Sequence, residues 1–175
     1  MIGEFSIRRC DAGDAPTLAS LGAKLFSDSY GPTHPEPELS RYLARSFSVA
    51  SVRDAMSSDD VSMLLVEDSV GHPIAYAYLR PSPEPPNGVN GSRPFEIVRF
   101  YVDTARQGKG VGAALMEACF SDAKKRGADV LWLQVWTQAP WAIGFYQRLG
   151  FSVVGSTTFC FGERIDDDHV MSRSL

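Results

Sequence analysis

The chain has 175 residues, 44% hydrophobic and 22% charged, which predicts one globular domain over residues 1–175 with one sizeable core and excludes a mainly disordered chain. Seventeen basic against 21 acidic side chains give a net charge of −4, so no general attraction to nucleic acid or to an anionic membrane is expected, and a cationic small molecule is the better partner. Cys10, Cys119 and Cys160 are too few and too scattered for a disulfide framework or a zinc site, "MIGEFSIRRC" lacks the apolar core of a signal peptide, and no run of about 18 apolar residues occurs; the expectation is a soluble cytoplasmic protein with no metal.

In chain order, "FSIRRC" reads as a short first strand. Asp14 then reads as an N-cap, with Pro16 tolerated in the first helical turn and Leu18, Leu21, Leu25 and Phe26 at helical spacing up to Gly31-Pro32. After "GPTHPEPE", the residues Leu39, Tyr42, Leu43 and Phe47 predict a second helix, and "VASVRDAMS" a short third one. "VSMLLVED" and "HPIAYAYLR" read as a hairpin joined at Val70-Gly71. The proline-rich "PSPEPPNGVNGS" predicts a long mobile hairpin loop before the strand "FEIVRFYVD". Thereafter come a helix from Gly108 to about Arg126, a strand "VLWLQVWT", a helix "PWAIGFYQRL", a strand "SVVGSTTFCFG" and a closing strand "HVMSRSL". The pattern predicts an α/β fold, a mixed sheet with flanking helices and a strand-to-helix turn at its centre, where ligands tend to bind.

That turn is "RQGKGVG", Arg106 to Gly112. Gly108, Gly110 and Gly112 match neither the dinucleotide pattern nor the P-loop. They leave a run of backbone N–H groups at a helix N-terminus, unobstructed by β-carbons, where the helix dipole favours an anion such as a pyrophosphate. Lys109 can add charge at the rim or stand solvated. A glycine-rich turn that only lets helix and strand pack closely is the plain alternative.

Read as [RQ]xxGx[GA], "QGKGVG" resembles the acetyl-CoA pyrophosphate loop of the GNAT superfamily of N-acetyltransferases. "FYVD" ahead of it and "APWAIGFYQRLGF" after it, the latter at Ala142, Phe145, Tyr146, Gly150 and Phe151, resemble the same family's flanking motifs in the same order. The resemblance covers residues 61–175 well and residues 1–60 loosely. It implies the GNAT fold, a single domain whose central sheet is splayed at the cofactor site, and transfer of an acetyl group from acetyl-CoA to an amine, with no metal.

The resemblance also implies roles. Phe100, Tyr101 and Val102 would pair their backbone with the pantetheine arm, while Gln107, Gly108, Lys109, Gly110, Val111, Gly112 and Ala113 hold the pyrophosphate. An alkyl amine has a pKa of about 10.4 and must lose a proton before it attacks. Glu96 is the candidate base, its alternative being an ion pair with Arg99 or Arg93. Tyr146 would give a proton to the departing thiolate; its alternative is a core aromatic, which is the reading taken for Phe145. Ala139 stands where the family usually has an asparagine that contacts the cofactor, a loss of about 0.5–1.5 kcal/mol that Thr137 or Gln138 can offset. Gln134 occupies another site where some members place a glutamate base, and an amide cannot take the proton.

On the acceptor side the N-terminal helices and "CFGERIDDDH" would shape the pocket. Tyr30 and His34, with Glu36 and Glu38, can face an amine, as can Glu163, Asp166, Asp167 and Asp168; solvated loop charges are the alternative for each. Residues 1–60 loosely resemble bacterial polyamine-type acetyltransferases. Peptide or protein N-acetylation, a non-catalytic acyl-CoA-binding module and a simple phosphate binder are the other readings. A homodimer is plausible for the fold, with no stretch that identifies its surface.

Overall fold

In the computed structural model, which describes residues 5–175, the first strand β1 (Phe5–Arg9) is followed by a 3-10 turn and the helix α1 (Ala15–Tyr30). Capping differs from expectation. Asp14 occupies the N-cap position but has helical φ and ψ and makes no side-chain cap to α1. Its carboxylate turns back to the N–H of Asp11 at 2.9 Å and pairs with Arg8, while Asp11 caps the 3-10 turn by accepting from the Gly13 N–H. The predicted apolar stripe is realised, with Leu18, Leu21, Leu25 and Phe26 all buried. Helix α2 (Glu38–Ser46) ends just before Phe47, and Ser48 caps the short α3 (Val49–Ala55) through its Oγ.

Strands β2 (Ser62–Asp68) and β3 (Pro73–Pro81) flank a turn in which Asp68 Oδ1 accepts from the N–H groups of Val70 and His72, the asparagine-like turn that aspartate supports. Strand β4 (Pro94–Val102), helix α4 (Val111–Lys125), strand β5 (Val130–Trp136), helix α5 (Pro140–Arg148) and strands β6 (Ser152–Phe161) and β7 (Arg164–Ser174) complete the chain. Helix α4 starts three residues later than expected, because Gly108 and Gly110 are in the left-handed region. The last strand starts five residues earlier than expected, so "RIDDD" is strand and not loop.

One seven-stranded sheet has the order β1-β2-β3-β4-β5-β7-β6. The pairs β1–β2, β5–β7 and β6–β7 are antiparallel, and β4–β5 is parallel. The parallel ladder is short: it runs from Pro94↔Val130 to Glu96↔Trp132, although β4 continues to Val102 and β5 to Trp136. The fold is thus a mixed α/β sheet with flanking helices. Among the described residues no helix is long and apolar enough to cross a membrane.

The chain divides into two packed units, one reaching to Tyr78 with Arg99–Cys119, the other made of Leu79–Val98 with Phe120–Leu175. In the first, Phe26 meets Tyr42 at 4.7 Å and Phe47 at 5.7 Å between ring centroids, and Tyr76 meets Tyr101 at 5.8 Å. The Arg99 guanidinium lies 4.2 Å from the Phe47 ring centroid and donates to the Ser46 carbonyl. In the second, Val89, Val130, Trp132 and Val170 form a buried cluster against which Val154 packs.

Val89 corrects a further expectation. The proline-rich loop is tied down: Val89 is in that core, and the N–H groups of Ser92 and Arg93 donate to the Asp129 carboxylate at 2.6 and 2.9 Å. Apolar burial and an ionised acceptor outweigh what proline and glycine content suggests.

Packing around α1 makes a direct prediction. A β-carbon at Gly22 would lie 2.5 Å from Phe47 Cδ1 and 2.6 Å from the Tyr76 hydroxyl. Helix propensity alone would make Gly22→Ala stabilising by about 1 kcal/mol, whereas overpacking should dominate and cost ~1–3 kcal/mol. Urea unfolding of the variant reads the sign.

Candidate functional site

The glycine turn is built by its flanks. Past β4, Asp103 donates its N–H to the Ile74 carbonyl, and its side chain accepts from the Ala105 N–H to start a single 3-10 turn. Arg106 in that turn reaches back to Asp68 Oδ2 at 3.0 Å, and the Gln107 side-chain amide donates to the Val102 carbonyl at 3.4 Å. Gly108 and Gly110 then have φ of 73° and 82°, conformations an L side chain adopts only at a cost of about 1–2 kcal/mol. Apart from the glycine itself and its two chain neighbours, no protein atom lies within 4 Å of a β-carbon placed at either. Backbone conformation, not protein packing, requires these two glycines.

Val111, buried, opens α4 with Gly112 and Ala113 in its first turn. The Gly110 carbonyl accepts from the Ala114 N–H. Helix geometry leaves the N–H groups ahead of Ala114 without intrahelical acceptors, and no acidic side chain sits in the first turn to take them. Lys109 is exposed beside them. Together these donors and the helix dipole can hold a phosphate-type anion.

Phe100, Tyr101 and Val102, the last residues of β4, are all partly exposed, unlike the buried first half of that strand. Tyr101 turns its ring to Phe26, Phe47 and Tyr76, and burial raises its hydroxyl well above the ordinary tyrosine range. Tyr30 and His34 lie in the same unit and meet edge to face at 5.8 Å. His34 is 5% exposed, with Nδ1 2.9 Å from Thr33 Oγ1 and 3.1 Å from the Tyr30 carbonyl. Glu36 takes up the Ser40 N–H and hydroxyl, a local helix contact.

The other sequence candidates lie in the second unit. Glu96 is 8% exposed, and its Oε2 accepts from Arg80 Nε at 2.8 Å and Nη2 at 2.7 Å. The expected partners Arg99 and Arg93 are not its partners. Arg93 instead lies by Gly127, and Arg99 turns to Phe47 and Ser46. Strand alternation makes this intelligible, since β3 carries Arg80 on the neighbouring strand while Arg99 is three residues along from Glu96 and faces the other way.

Tyr146 is buried on α5, its ring edge to face with Phe145 at 5.4 Å and Phe151 at 5.9 Å. Ala139 is fully buried at the N-cap of α5 and gives it no side-chain cap; its carbonyl accepts from Ala142 and Ile143. The Thr137 N–H is already spent on the Asp167 carbonyl. Gln134 is exposed on β5.

On β7 the three aspartates alternate, with Asp166 and Asp168 buried and Asp167 exposed. Arg164 pairs with Asp166 at 2.6 Å and lies 5.6 Å from the Trp136 ring centroid. Burial, with Asp166 and Asp167 close by, pushes the Asp168 carboxyl up to about 6. Among the described residues no group of three or more His, Cys, Asp and Glu side chains could hold a metal ion.

Comparison with known proteins follows the same lines. The model of the acetyltransferase (GNAT) family matches residues 23–151. An uncharacterized N-acetyltransferase of Mycobacterium tuberculosis is 28% identical over 163 residues, covering 93% of this chain and 98% of the relative. Among solved structures, the PaiA N-acetyltransferase of Thermoplasma acidophilum in complex with coenzyme A has a TM-score of 0.77 at 18% identity, covering 98% of this chain and 99% of that one. The ribosomal-protein-S18-alanine N-acetyltransferase of Escherichia coli has a TM-score of 0.67 at 19% identity, covering 97% and 93%.

The Arg80–Glu96 pair makes the prediction of this site. Arg80→Met strands a buried carboxylate and should cost ~1.5–3 kcal/mol by chemical denaturation. Replacing both partners, Arg80→Met with Glu96→Leu, should restore most of it.

Proposed function

The chain belongs to the acetyltransferase (GNAT) family, and we propose that it transfers the acetyl group of acetyl-CoA to a primary amine of a small cationic molecule, polyamines included, by direct attack in a ternary complex. The observation that carries this is the Gln107–Gly112 turn, whose left-handed Gly108 and Gly110 present the start of α4 to an anion with no β-carbon on the approach. The family match over residues 23–151 supports reading residues 1–175 as one acetyltransferase domain. The same reading includes a reducing, cytoplasmic setting, which the few, scattered cysteines of the sequence suit.

Acetyl-CoA supplies the thioester. The N–H groups of Gly108 to Ala113 hold its pyrophosphate with Lys109 and Gln107 at the rim, and Phe100, Tyr101 and Val102, beyond the last β4–β5 pair at Glu96↔Trp132, pair their backbone with the pantetheine arm as an added strand would. A backbone N–H of β4 holds the carbonyl oxygen as negative charge develops there. The amine must be neutral to attack. Glu96 takes its proton, through a water on Oε1, since Oε2 is committed to Arg80. When the C–S bond breaks, Tyr146 gives its hydroxyl hydrogen bond, and finally its proton, to the thiolate. Ordinary pKa values of about 10 for tyrosine and about 8.5 for a thiol make that transfer mildly uphill. Tyr30 and His34 form part of the acceptor wall, His34 as a packed ring and not through its Nδ1.

A non-catalytic acyl-CoA-binding module is the second reading. Ala139 favours it, since the position offers no side chain to cofactor or helix. Turnover separates the two. CoA release should be seen with acetyl-CoA and at least one of spermidine, spermine, lysine, a peptide with a free N-terminus or an aminoglycoside. Silence across that panel, with acetyl-CoA bound tightly, would leave the binding module.

With an active acceptor in hand, Tyr146→Phe should lower kcat by ~10²-fold and leave acetyl-CoA affinity within about twofold. Unchanged kcat would remove the proton-donor role. Gly110→Ala should do the reverse, weakening acetyl-CoA binding about tenfold by calorimetry.

A further inference from the structure

Three carboxylate residues are buried among the described residues, and two of them are paired. Glu96 has Arg80, and Asp166 has Arg164. Asp168 is 7% exposed, and what acts on its carboxyl is burial and the like charges of Asp166 and Asp167, with no hydrogen bond or cation to offset them. A carboxylate largely removed from water, with like charges beside it and no cation to offset them, is costly, so a fold that retains one needs a reason outside its own packing.

The surroundings of Asp168 indicate what that reason is. It lies on β7 between two strands, with Trp136 of β5 opposite on one side and Thr157 of β6 on the other. Residues directly opposite share a face, so the indole and the carboxylate stand side by side. One cation is already accommodated there: the Arg164 guanidinium lies over the Trp136 ring while its Nε holds Asp166. That pair is self-neutral, and the charge of Asp168 is left over. An aromatic face beside an anionic oxygen is a cation-binding pair.

We propose that Asp168, with Trp136 beside it, binds a positively charged group of the acceptor other than the amine that is acetylated. The acceptor is then a molecule with a second cation, such as a diamine. The division of labour follows from the chemistry: a carboxylate stabilises the ammonium form, which has no lone pair for attack, so it cannot serve the reacting nitrogen. The inference rests on the acetyl-transfer reading given above.

The groups facing Asp168 set its pH response. Burial, and then Asp166 and Asp167 on its own strand, push it up to about 6. Arg164 is engaged by Asp166, and Trp136 and Thr157 across the two ladders do not ionise. The site therefore carries its charge above about pH 6 and loses it as pH falls toward 5. A carboxyl whose folded value is raised destabilises the fold once pH exceeds its unfolded value, so neutralising it should not harm stability at neutral pH.

The test is calorimetric titration of the full chain with 1,4-diaminobutane and with n-butylamine, on the parent protein and on Asp168→Asn and Asp168→Ser. At about pH 7.5 the parent should bind the diamine at least about tenfold more tightly than the monoamine, and the preference should shrink near pH 5. Both variants should lose the preference while melting at the same temperature or higher. A parent with no preference, or variants that keep it, would overturn the proposal. The acetyl-transfer reading fails separately: diamine bound through Asp168 but no CoA released with any amine would retain the cation site and remove its assignment to an acceptor.

Discussion

Two neighbouring parallel strands cannot be joined by a tight turn. Between β4 and β5 the chain must leave the sheet, cross over and return, and a helix is the usual way to do so. Here that crossover is the 3-10 turn, the two left-handed glycines and α4. It fixes where an anion can meet free N–H groups, because a helix that follows a strand closely begins beside the strand's carboxyl end. The shortness of the parallel ladder belongs to the same constraint. After Glu96↔Trp132 the register between the two strands stops, and β5 continues with β7 as its partner.

Much of this was legible in the sequence because it is written locally. The apolar spacing of Leu18, Leu21 and Leu25, the short apolar runs of β2 to β5, and the glycines at positions 108, 110 and 112 each report on a few neighbouring residues. Among the described residues the short-range signals located the five α-helices and six of the seven strands to within a few residues. The start of β7 failed because three consecutive aspartates argue against a strand by propensity. Pairing with β5 and β6 on both sides overrides that preference.

The site was less legible where it depends on partners distant in sequence. Glu96 was visible as a candidate, but its partner Arg80 lies on another strand, and only the sheet order joins them. Asp168 had no distinguishing mark among Asp166, Asp167 and Asp168 until the pleat buried two and exposed one. Capping at Asp11 instead of Asp14 turned on backbone angles that composition does not report. The proline-rich loop misled in the opposite sense, since its prolines and glycines advertise freedom while Val89, alone among its apolar residues in being fully committed to the core, takes that freedom away.

That loop also meets β6 backbone to backbone. A side chain at Gly88 would run into the Val154 carbonyl, and one at Gly155 would come within 2.8 Å of the Asn87 carbonyl. Each glycine keeps clear the space into which the opposite segment fits. The two positions are thus one joint, and their tolerance to change is shared. Once a substitution at either has prised the loop from the strand, a substitution at the other has little left to disrupt, so their effects should fall short of the sum. Drift in this lineage would be expected to spare both glycines or to release them together with the loop between β3 and β4.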